Sequence, residues 1–221
     1  MQYKDKEYKV DSVIFDVDGT IWDSTGVVTE AWNKALIDTG FGHIQVTAER
    51  LKGLFGLPMI DIMMDILPGV EEKELREFER VCNEYEEEFI LEKAGDVYEN
   101  IGEVIAEISK DIPVYIVSNC QSGYIELVIK HLKLEEYVSD FTCFGDTGMF
   151  KAPNIRLICD KHKLEAPVYV GDTHMDADAC KEADVPMIFV NYGFGKVDEP
   201  WAEVSSPNEL LELIKKCKKS S

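Results

Sequence analysis

Two aspartates, Asp16 and Asp18, follow a short apolar run and precede Gly19-Thr20. Such a run bounded by turn residues is typical of a buried strand, and glycine lets the chain leave it sharply. Because side chains alternate along a strand, an extended chain through Val17 would place both carboxylates on the same side. Neighbouring carboxylates repel each other unless a cation lies between them, and Mg²⁺ prefers oxygen ligands. The pair indicates a metal site, with a plain acidic turn as the alternative.

Other polar residues follow later apolar runs. Ser118 and Asn119 follow a second run, Asp172 follows another, and Lys151 lies between them in the sequence. In open α/β sheets, ligands bind beyond the carboxyl ends of the strands. These side chains and Asp16 are therefore expected to converge on one acidic site that also carries a hydroxyl and a lysine.

The composition excludes several classes of partner. The chain has 221 residues, 45% of them hydrophobic, and a formal net charge of −20. A charge of this sign argues against binding to nucleic acid or to anionic membranes. The charged start and the lack of an apolar run of about 18 residues indicate neither a secretory signal nor a membrane span. Together with scattered cysteines lacking a C-x-x-C pair, this predicts a cytoplasmic protein with reduced thiols.

The order of predicted elements indicates the fold class. Strands alternate with helices in most of the chain, which predicts an α/β fold with a three-layer, Rossmann-like parallel sheet covered on both faces. A purely helical pattern interrupts this alternation soon after the first strand. Its last helix, 71–93, has an apolar stripe, and its acidic run Glu86-Glu87-Glu88 is expected on a solvated face. We therefore expect a core of residues 1–22 and 97–221 and an inserted all-helical domain of residues 23–96.

Four short motifs occur in order along the chain. They are Asp16-Val17-Asp18-Gly19-Thr20, Ser118-Asn119, Lys151, and Gly171-Asp172-Thr173-x-x-Asp176. In these motifs and their spacing the chain resembles the haloacid dehalogenase superfamily, and within it the phosphoglycolate-phosphatase-like members with a helical cap. The resemblance covers nearly the whole chain. It differs at the third motif, which usually continues Lys-Pro but here reads Lys151-Ala152-Pro153, so a small loop change is expected there.

The resemblance implies a role for each core residue. Asp16 would be the nucleophile that forms an aspartyl-phosphate, and Asp18 would protonate the leaving group and later deprotonate water. Lys151 would neutralise the phosphate and the nucleophile. Ser118 and the Asn119 backbone would bind phosphoryl oxygens.

The resemblance also implies further substrate contacts and a Mg²⁺ site. Gly19 and Thr20 are expected to contact the substrate. The ligands of the metal would come from the four motif aspartates, which are Asp16, Asp18, Asp172 and Asp176. Asp18 would contribute its backbone carbonyl, and Asp176 would be a ligand or lie just behind the ligands. His174 would be an exposed loop residue or a leaving-group contact.

The helical insertion would be the cap. Hinges are expected near Asp23–Thr25 and Ala94–Tyr98. Arg50 and Lys52 lie in a segment that resembles the cap loop of the family, so they are candidates to contact an anionic substrate. The alternative is that both are ordinary solvated surface residues.

The resulting expectation is a Mg²⁺-dependent phosphatase that hydrolyses a small phosphorylated metabolite. A phosphomutase of the β-phosphoglucomutase type is the first alternative. A non-catalytic phosphate-binding or receiver-like domain is the second, although the helical insertion and the paired aspartates disfavour it. The identity of the phosphomonoester and the oligomeric state stay open.

Overall fold

The computed structural model describes residues 2–3 and 6–218. The outermost residues of the predicted core segments (1, 4, 5 and 219–221) lie outside this part of the chain. The strands are β1 (Gln2–Tyr3), β2 (Lys6–Glu7), β3 (Ser12–Phe15), β4 (Trp22–Asp23), β5 (Asp96–Val97), β6 (Val114–Ser118), β7 (Val138–Cys143), β8 (Pro167–Gly171), β9 (Met187–Val190) and β10 (Ala202–Val204). The helices are α1 (Thr25–Asp38), α2 (Ala48–Lys52), α3 (Met59–Ile66), α4 (Glu72–Lys93), α5 (Ile101–Ser109), α6 (Tyr124–Leu132), α7 (Phe144–Thr147), α8 (Lys151–His162), α9 (His174–Ala183) and α10 (Pro207–Cys217).

A parallel sheet in the order β10-β9-β8-β3-β6-β7 forms the centre of the described structure. Its strands are apolar on both faces, because successive side chains alternate between two cores. In β3, Val13 and Phe15 face one core and Ile14 faces the other. Helices α8 and α9 supply Ile155 and Cys180 to the core on the Ile14 side, while α5, α6 and α10 contribute to the opposite core. The predicted α/β three-layer fold is confirmed.

The strand order brings three of the predicted site residues to one edge of the sheet. Strand β3 lies between β6 and β8, so Asp16, Ser118 and Asp172 come at neighbouring strand ends. The Asp16 N–H still donates to the carbonyl of Val170 at 2.9 Å, which extends the β3–β8 pairing by one residue. Parallel strands fix the position of these side chains through backbone hydrogen bonds.

Helices α1 to α4 form a continuous helical segment between β4 and β5. The two strands pair with each other in antiparallel register, Trp22 with Val97 and Asp23 with Asp96. The chain therefore enters and leaves the helical segment through one two-stranded ribbon. The expected domain limits and hinges coincide with this ribbon, and the division into core and cap stays a prediction. Among the described residues, no helix is both long enough and apolar enough to cross a membrane.

Two helices begin earlier than their sequence patterns indicate. Helix α8 starts at Lys151, where a loop was expected, and Pro153 fits its first turn because the first N–H groups of a helix have no intrahelical partner. The Ala152 insertion is thus helical and is not a loop change. Helix α9 starts at His174, directly after the capping residue Thr173, so the histidine is not in a loop.

Candidate active site

Three buried carboxylates cluster at the carboxyl edge of the sheet. Asp16 follows β3, Asp172 follows β8, and Asp176 lies in the first turn of α9. One oxygen of each lies within 4.8 Å of the others. Because like charges at this separation repel strongly when buried, the cluster requires compensating positive charge.

Lys151 supplies part of that charge. Its Nζ lies 3.0 Å from Asp16 Oδ1 and also forms a short ion pair with Asp176. The side chain is almost completely buried, which by itself would lower the pKa of the ammonium group, but Asp16 and Asp176 outweigh burial and raise it. Lys151 therefore stays charged, and it orients the Asp16 carboxylate.

One ammonium group does not neutralise three carboxylates. Burial, followed by the neighbouring carboxylates, raises the pKa of Asp172 to about 8, and burial raises that of Asp16 to about 7 despite Lys151. Asp176 differs: burial would raise its pKa, but Lys151 and the donors of Thr173 lower it. The site therefore has a strong affinity for additional positive charge next to Asp16 and Asp172.

Asp176 is held by the capping box of α9. Its Oδ2 accepts hydrogen bonds from the Thr173 N–H at 2.9 Å and the Thr173 hydroxyl at 2.7 Å. The Thr173 hydroxyl in turn accepts from the Asp176 N–H. This reciprocal arrangement is a common helix start, and here it fixes one wall of the acidic cluster.

Glycines leave room for the Asp172 carboxylate on two sides. A Cβ atom at Gly19, whose φ is +79°, would lie 2.1 Å from Asp172 Oδ2, and one at Gly193 would lie 2.5 Å from it. The N–H of Phe194 donates to the same oxygen at 2.7 Å. From the residues alone, Gly193-Phe194-Gly195 indicates only a flexible turn. The resemblance to the family implies that this turn lies near the site. In this structure, Gly19 therefore leaves the space that the Asp172 carboxylate occupies.

The donor set fits a divalent cation. Asp16 Oδ1 is buried and accepts no hydrogen bond from the described residues, although the Lys151 ammonium is close. Hard oxygen ligands and excess negative charge are what Mg²⁺ requires. Asp16, Asp172 and Asp176 are the residues that could hold it.

Asp18 lies apart from this cluster. Its Oδ1 accepts hydrogen bonds from the Ser24 hydroxyl at 2.5 Å and the Tyr124 hydroxyl at 2.7 Å. Burial raises the pKa of its carboxyl, and these two hydrogen bonds oppose the shift. The side chain lines a cavity and is not part of the cluster of three carboxylates. The predicted contact of its backbone carbonyl with the metal stays a prediction. Ser24 and Tyr124 carried no signal in the sequence, because one is a turn serine and the other a helical aromatic residue.

The cavity lies between the sheet edge and the helical segment. Asp16, Asp18, Ser118 and Asn119 line it on the sheet side. Its volume is about 50 Å³, room for a few water molecules. The Asn119 Nδ2 donates to the Gly56 carbonyl at 2.7 Å and so links the sheet edge to the helical segment.

Several predicted residues do not reach this cavity. Arg50 bonds the side chain and the backbone carbonyl of Asp65 within the helical segment. Lys52 forms an ion pair with Asp23 at 2.8 Å. Thr20 is buried, with its hydroxyl 3.5 Å from Asp172 Oδ1. His174 is exposed at the start of α9 and does not line the cavity.

Glu86 is buried, in contrast to the solvated face expected for it. It lines the cavity from α4, where Trp32 Nε1 donates to its Oε1 and Gln121 Nε2 donates to its Oε2 at 2.6 Å. Burial raises the pKa of this carboxyl to about 7, against the effect of the two donors. A signal was present, because Glu86 lies four residues after Cys82 and four before Ile90 on the buried stripe of α4.

Known proteins resemble this chain over most of its length. The family model described as haloacid dehalogenase-like hydrolase matches residues 13–190. A phosphoglycolate phosphatase of Agrobacterium fabrum is 28% identical, covering 90% of this chain and 87% of its own. A 5'-nucleotidase of Pseudomonas aeruginosa is 25% identical, with 89% of each chain covered. The solved structure of a predicted phosphoglycolate phosphatase from Haemophilus somnus 129PT has a TM-score of 0.81 at 18% identity, covering 94% of this chain and 98% of that one.

The match to the family model extends over most of the chain, and this establishes the protein family. The chain belongs to the haloacid dehalogenase-like hydrolase family, as its motifs predict, and it is an enzyme of the hydrolase class. The structural similarity, at such low identity, supports the fold alone.

Proposed function

We propose that the protein is a Mg²⁺-dependent phosphatase that hydrolyses a small phosphomonoester with Asp16 as the nucleophile. The observation that carries this proposal is the placement of the Lys151 ammonium 3.0 Å from Asp16, which lines the cavity together with Asp18. A carboxylate can approach a phosphate dianion only where positive charge offsets their repulsion. The phosphatase names of two relatives support the same activity.

In the first step, an oxygen of Asp16 forms a bond to phosphorus while the ester bond to the leaving oxygen breaks. Asp18 gives its proton to that oxygen, which leaves as an alcohol. Burial raises the pKa of Asp18, which favours the protonated form that this step needs. The products of this step are the alcohol and an aspartyl-phosphate at Asp16.

In the second step, water attacks the phosphorus of the aspartyl-phosphate. Asp18, now ionised, takes the proton from the water, and the Asp16–phosphorus bond breaks. Inorganic phosphate leaves and the Asp16 carboxylate is restored. The hydroxyl groups of Ser24 and Tyr124 stabilise the ionised Asp18 between the two steps.

The remaining site residues bind and orient. We assign Ser118 and the backbone of Asn119 to the phosphoryl oxygens, because both residues line the cavity beside Asp16. A Mg²⁺ ion held by Asp16, Asp172 and Asp176 would offset the charge of the phosphoryl group. Residues 23–96 would act as a cap that opens for the substrate and excludes water when closed.

The test is hydrolysis of p-nitrophenyl phosphate with and without Mg²⁺. Asp16→Asn should lower kcat by more than about 1,000-fold, because it removes the nucleophile on which both proposed steps depend. Asp178→Asn, an exposed position on α9, is the matched control and should keep wild-type activity. Substantial activity in Asp16→Asn, or full activity of the wild type in EDTA, would contradict the mechanism.

A further inference from the structure

The helical segment contributes an acidic group and apolar surface to the cavity. Trp32, Met59 and Ile62 line it together with Glu86. None of the described residues that line the cavity is a lysine, an arginine or a histidine. The part of the cavity away from Lys151 therefore offers a bound molecule apolar contacts and a carboxylate, and no cation.

The two cations of the helical segment that were predicted to contact the substrate are already paired. Arg50 is bound to Asp65, and Lys52 to Asp23. Neither lines the cavity, so they leave the charge of Glu86 uncompensated there. The two donors bound to Glu86, the Trp32 indole and the Gln121 amide, are uncharged.

The position of Glu86 is well defined by these contacts. Each of its oxygens accepts one hydrogen bond, one from α1 of the helical segment and one from the loop that follows Ser118-Asn119. An N–H group that donates to a carboxylate oxygen favours the ionised form. Glu86 is also close enough to Asp18 for the two charges to interact. It therefore faces the place where the leaving group of an ester held at Asp16 and Asp18 must lie.

We propose that Glu86 is a specificity-determining residue that selects phosphomonoesters of uncharged alcohols and rejects esters whose leaving group carries a carboxylate. This inference rests on the proposed phosphatase function and narrows its substrate class. A carboxylate on the leaving group would be repelled by the ionised Glu86, since no cation lines this part of the cavity to bind it. An uncharged leaving group can instead donate a hydrogen bond to Glu86 and pack its apolar part on Trp32 and Met59. The preference is thus opposite to that suggested by the names of the phosphoglycolate phosphatase relatives.

The experiment compares two esters that differ mainly in charge, phosphoglycolate and its amide, glycolamide phosphate. Their kcat/KM values are measured for the wild type with Mg²⁺ at pH 8.5, where a carboxyl of pKa about 7 is ionised. The wild type should favour the amide by about tenfold or more, as expected for a like-charge contact in a partly buried site. When this ratio is compared between the wild type and a variant, the intrinsic reactivities of the two esters cancel, because both proteins hydrolyse the same pair.

The variant Glu86→Gln keeps the shape of the side chain and removes its charge, so it should reduce that preference to about twofold or less. Glu88→Gln, which removes an exposed charge from the same helix, is the matched control and should keep the wild-type ratio. A wild-type preference for phosphoglycolate overturns the proposal, as does an unchanged ratio in a folded Glu86→Gln protein. If this variant does not fold, the wild-type ratio alone decides.

Hydrolysis of p-nitrophenyl phosphate separates this proposal from the more general one. A wild type that releases phosphate from this ester but shows no preference between the two glycolic esters is a phosphatase, and the role of Glu86 is then refuted. A wild type that releases no phosphate from any of the three esters refutes the proposed function itself.

Discussion

Asp172 and Asp176 are chemically identical side chains four residues apart, yet their surroundings drive their pKa values in opposite directions. Burial and the neighbouring carboxylates raise the pKa of Asp172 to about 8, whereas Lys151 and Thr173 hold that of Asp176 below its usual value. The folded protein therefore favours the ionised form of Asp176 and disfavours that of Asp172. The two residues should respond differently to the loss of their charge.

In EDTA at pH 8, Asp176→Asn should lose about 3 kcal/mol of folding free energy, because it breaks a buried ion pair and part of a helix cap. In a protein of this size, that loss lowers Tm by roughly 6 to 12 °C. Asp172→Asn should be at least as stable as the wild type, since it removes repulsion and still accepts the Phe194 hydrogen bond. Thermal unfolding followed by circular dichroism measures both, with Asp178→Asn as control. Equal destabilisation by the two substitutions would refute the assignment.

At the scale of single residues, the sequence indicated the residues of the acidic cluster better than their partners. Asp16 and Asp172 come together because the ends of parallel strands meet, and the first turns of α9 and α8 add Asp176 and Lys151. Glu86 was misjudged, since a run of three glutamates resembles a solvated face although one of them continues a buried stripe. The pairing of Arg50 in α2 with Asp65 in α3 joins residues 15 positions apart, which no local pattern contains.

Among the elements, the β4–β5 ribbon controls how the helical segment is attached. Gly95 lies where the chain returns from α4, and a Cβ atom there would be 3.0 Å from the Asp23 carbonyl oxygen and 3.2 Å from the Trp22 ring. These neighbours are backbone or a buried ring and cannot easily move aside. The ribbon therefore tolerates no side chain at this position without a shift of its strands.

Gly95→Ala should lower the free energy of unfolding by about 1 to 3 kcal/mol, as expected for overpacking at a close approach. Gly102→Ala is the control, because a Cβ atom at this position in α5 contacts nothing within 4 Å. It should be neutral or more stable by up to about 1 kcal/mol, since alanine favours helix over glycine. Urea denaturation of both variants gives the comparison. A Gly95→Ala protein as stable as Gly102→Ala would show that the ribbon can adapt.

The types of the main elements could be predicted, but several of their starts could not. Hydrophobic periodicity located the strands and helices of the sheet domain, because both faces of a parallel sheet are apolar. The periodic residues of α8 begin only after Pro153, so its first turn, and with it the helical position of Lys151, was missed. The β4–β5 pairing was missed as well, since two residues per strand give no pattern.

For the whole molecule, the uncompensated acidic site couples stability to pH and to metal ions. Asp16 and Asp172 have folded-state pKa values of about 7 and 8, far above the ordinary value of an aspartate. At neutral pH the folded protein therefore keeps protons on Asp16 and Asp172, whereas the same groups of the unfolded chain have released theirs. Stability supplied in this way is present at lower pH and is lost as the pH rises through these values.

Without divalent cations, raising the pH from 6 to 8.5 should remove roughly 2 kcal/mol of stability and lower Tm by several degrees. Mg²⁺ at about 10 mM should restore most of this loss, because a ligand that binds only the folded state stabilises it. Here the cation replaces the lost protons. Asp172→Asn should show a weaker pH dependence and a smaller response to Mg²⁺. Differential scanning fluorimetry measures all three. A wild-type Tm that is insensitive to Mg²⁺ at pH 8.5 would contradict the assignment of the metal site.

The single ribbon through which the chain passes to and from the helical segment has an evolutionary consequence. Both junctions lie side by side, Trp22 opposite Val97, so the intervening segment can be exchanged as one contiguous cassette. Such an exchange would leave the strand register and Asp16 untouched, while replacing every cavity-lining residue that the helical segment supplies. Divergence of substrate preference among relatives could then proceed by remodelling one module, with the chemistry inherited unchanged.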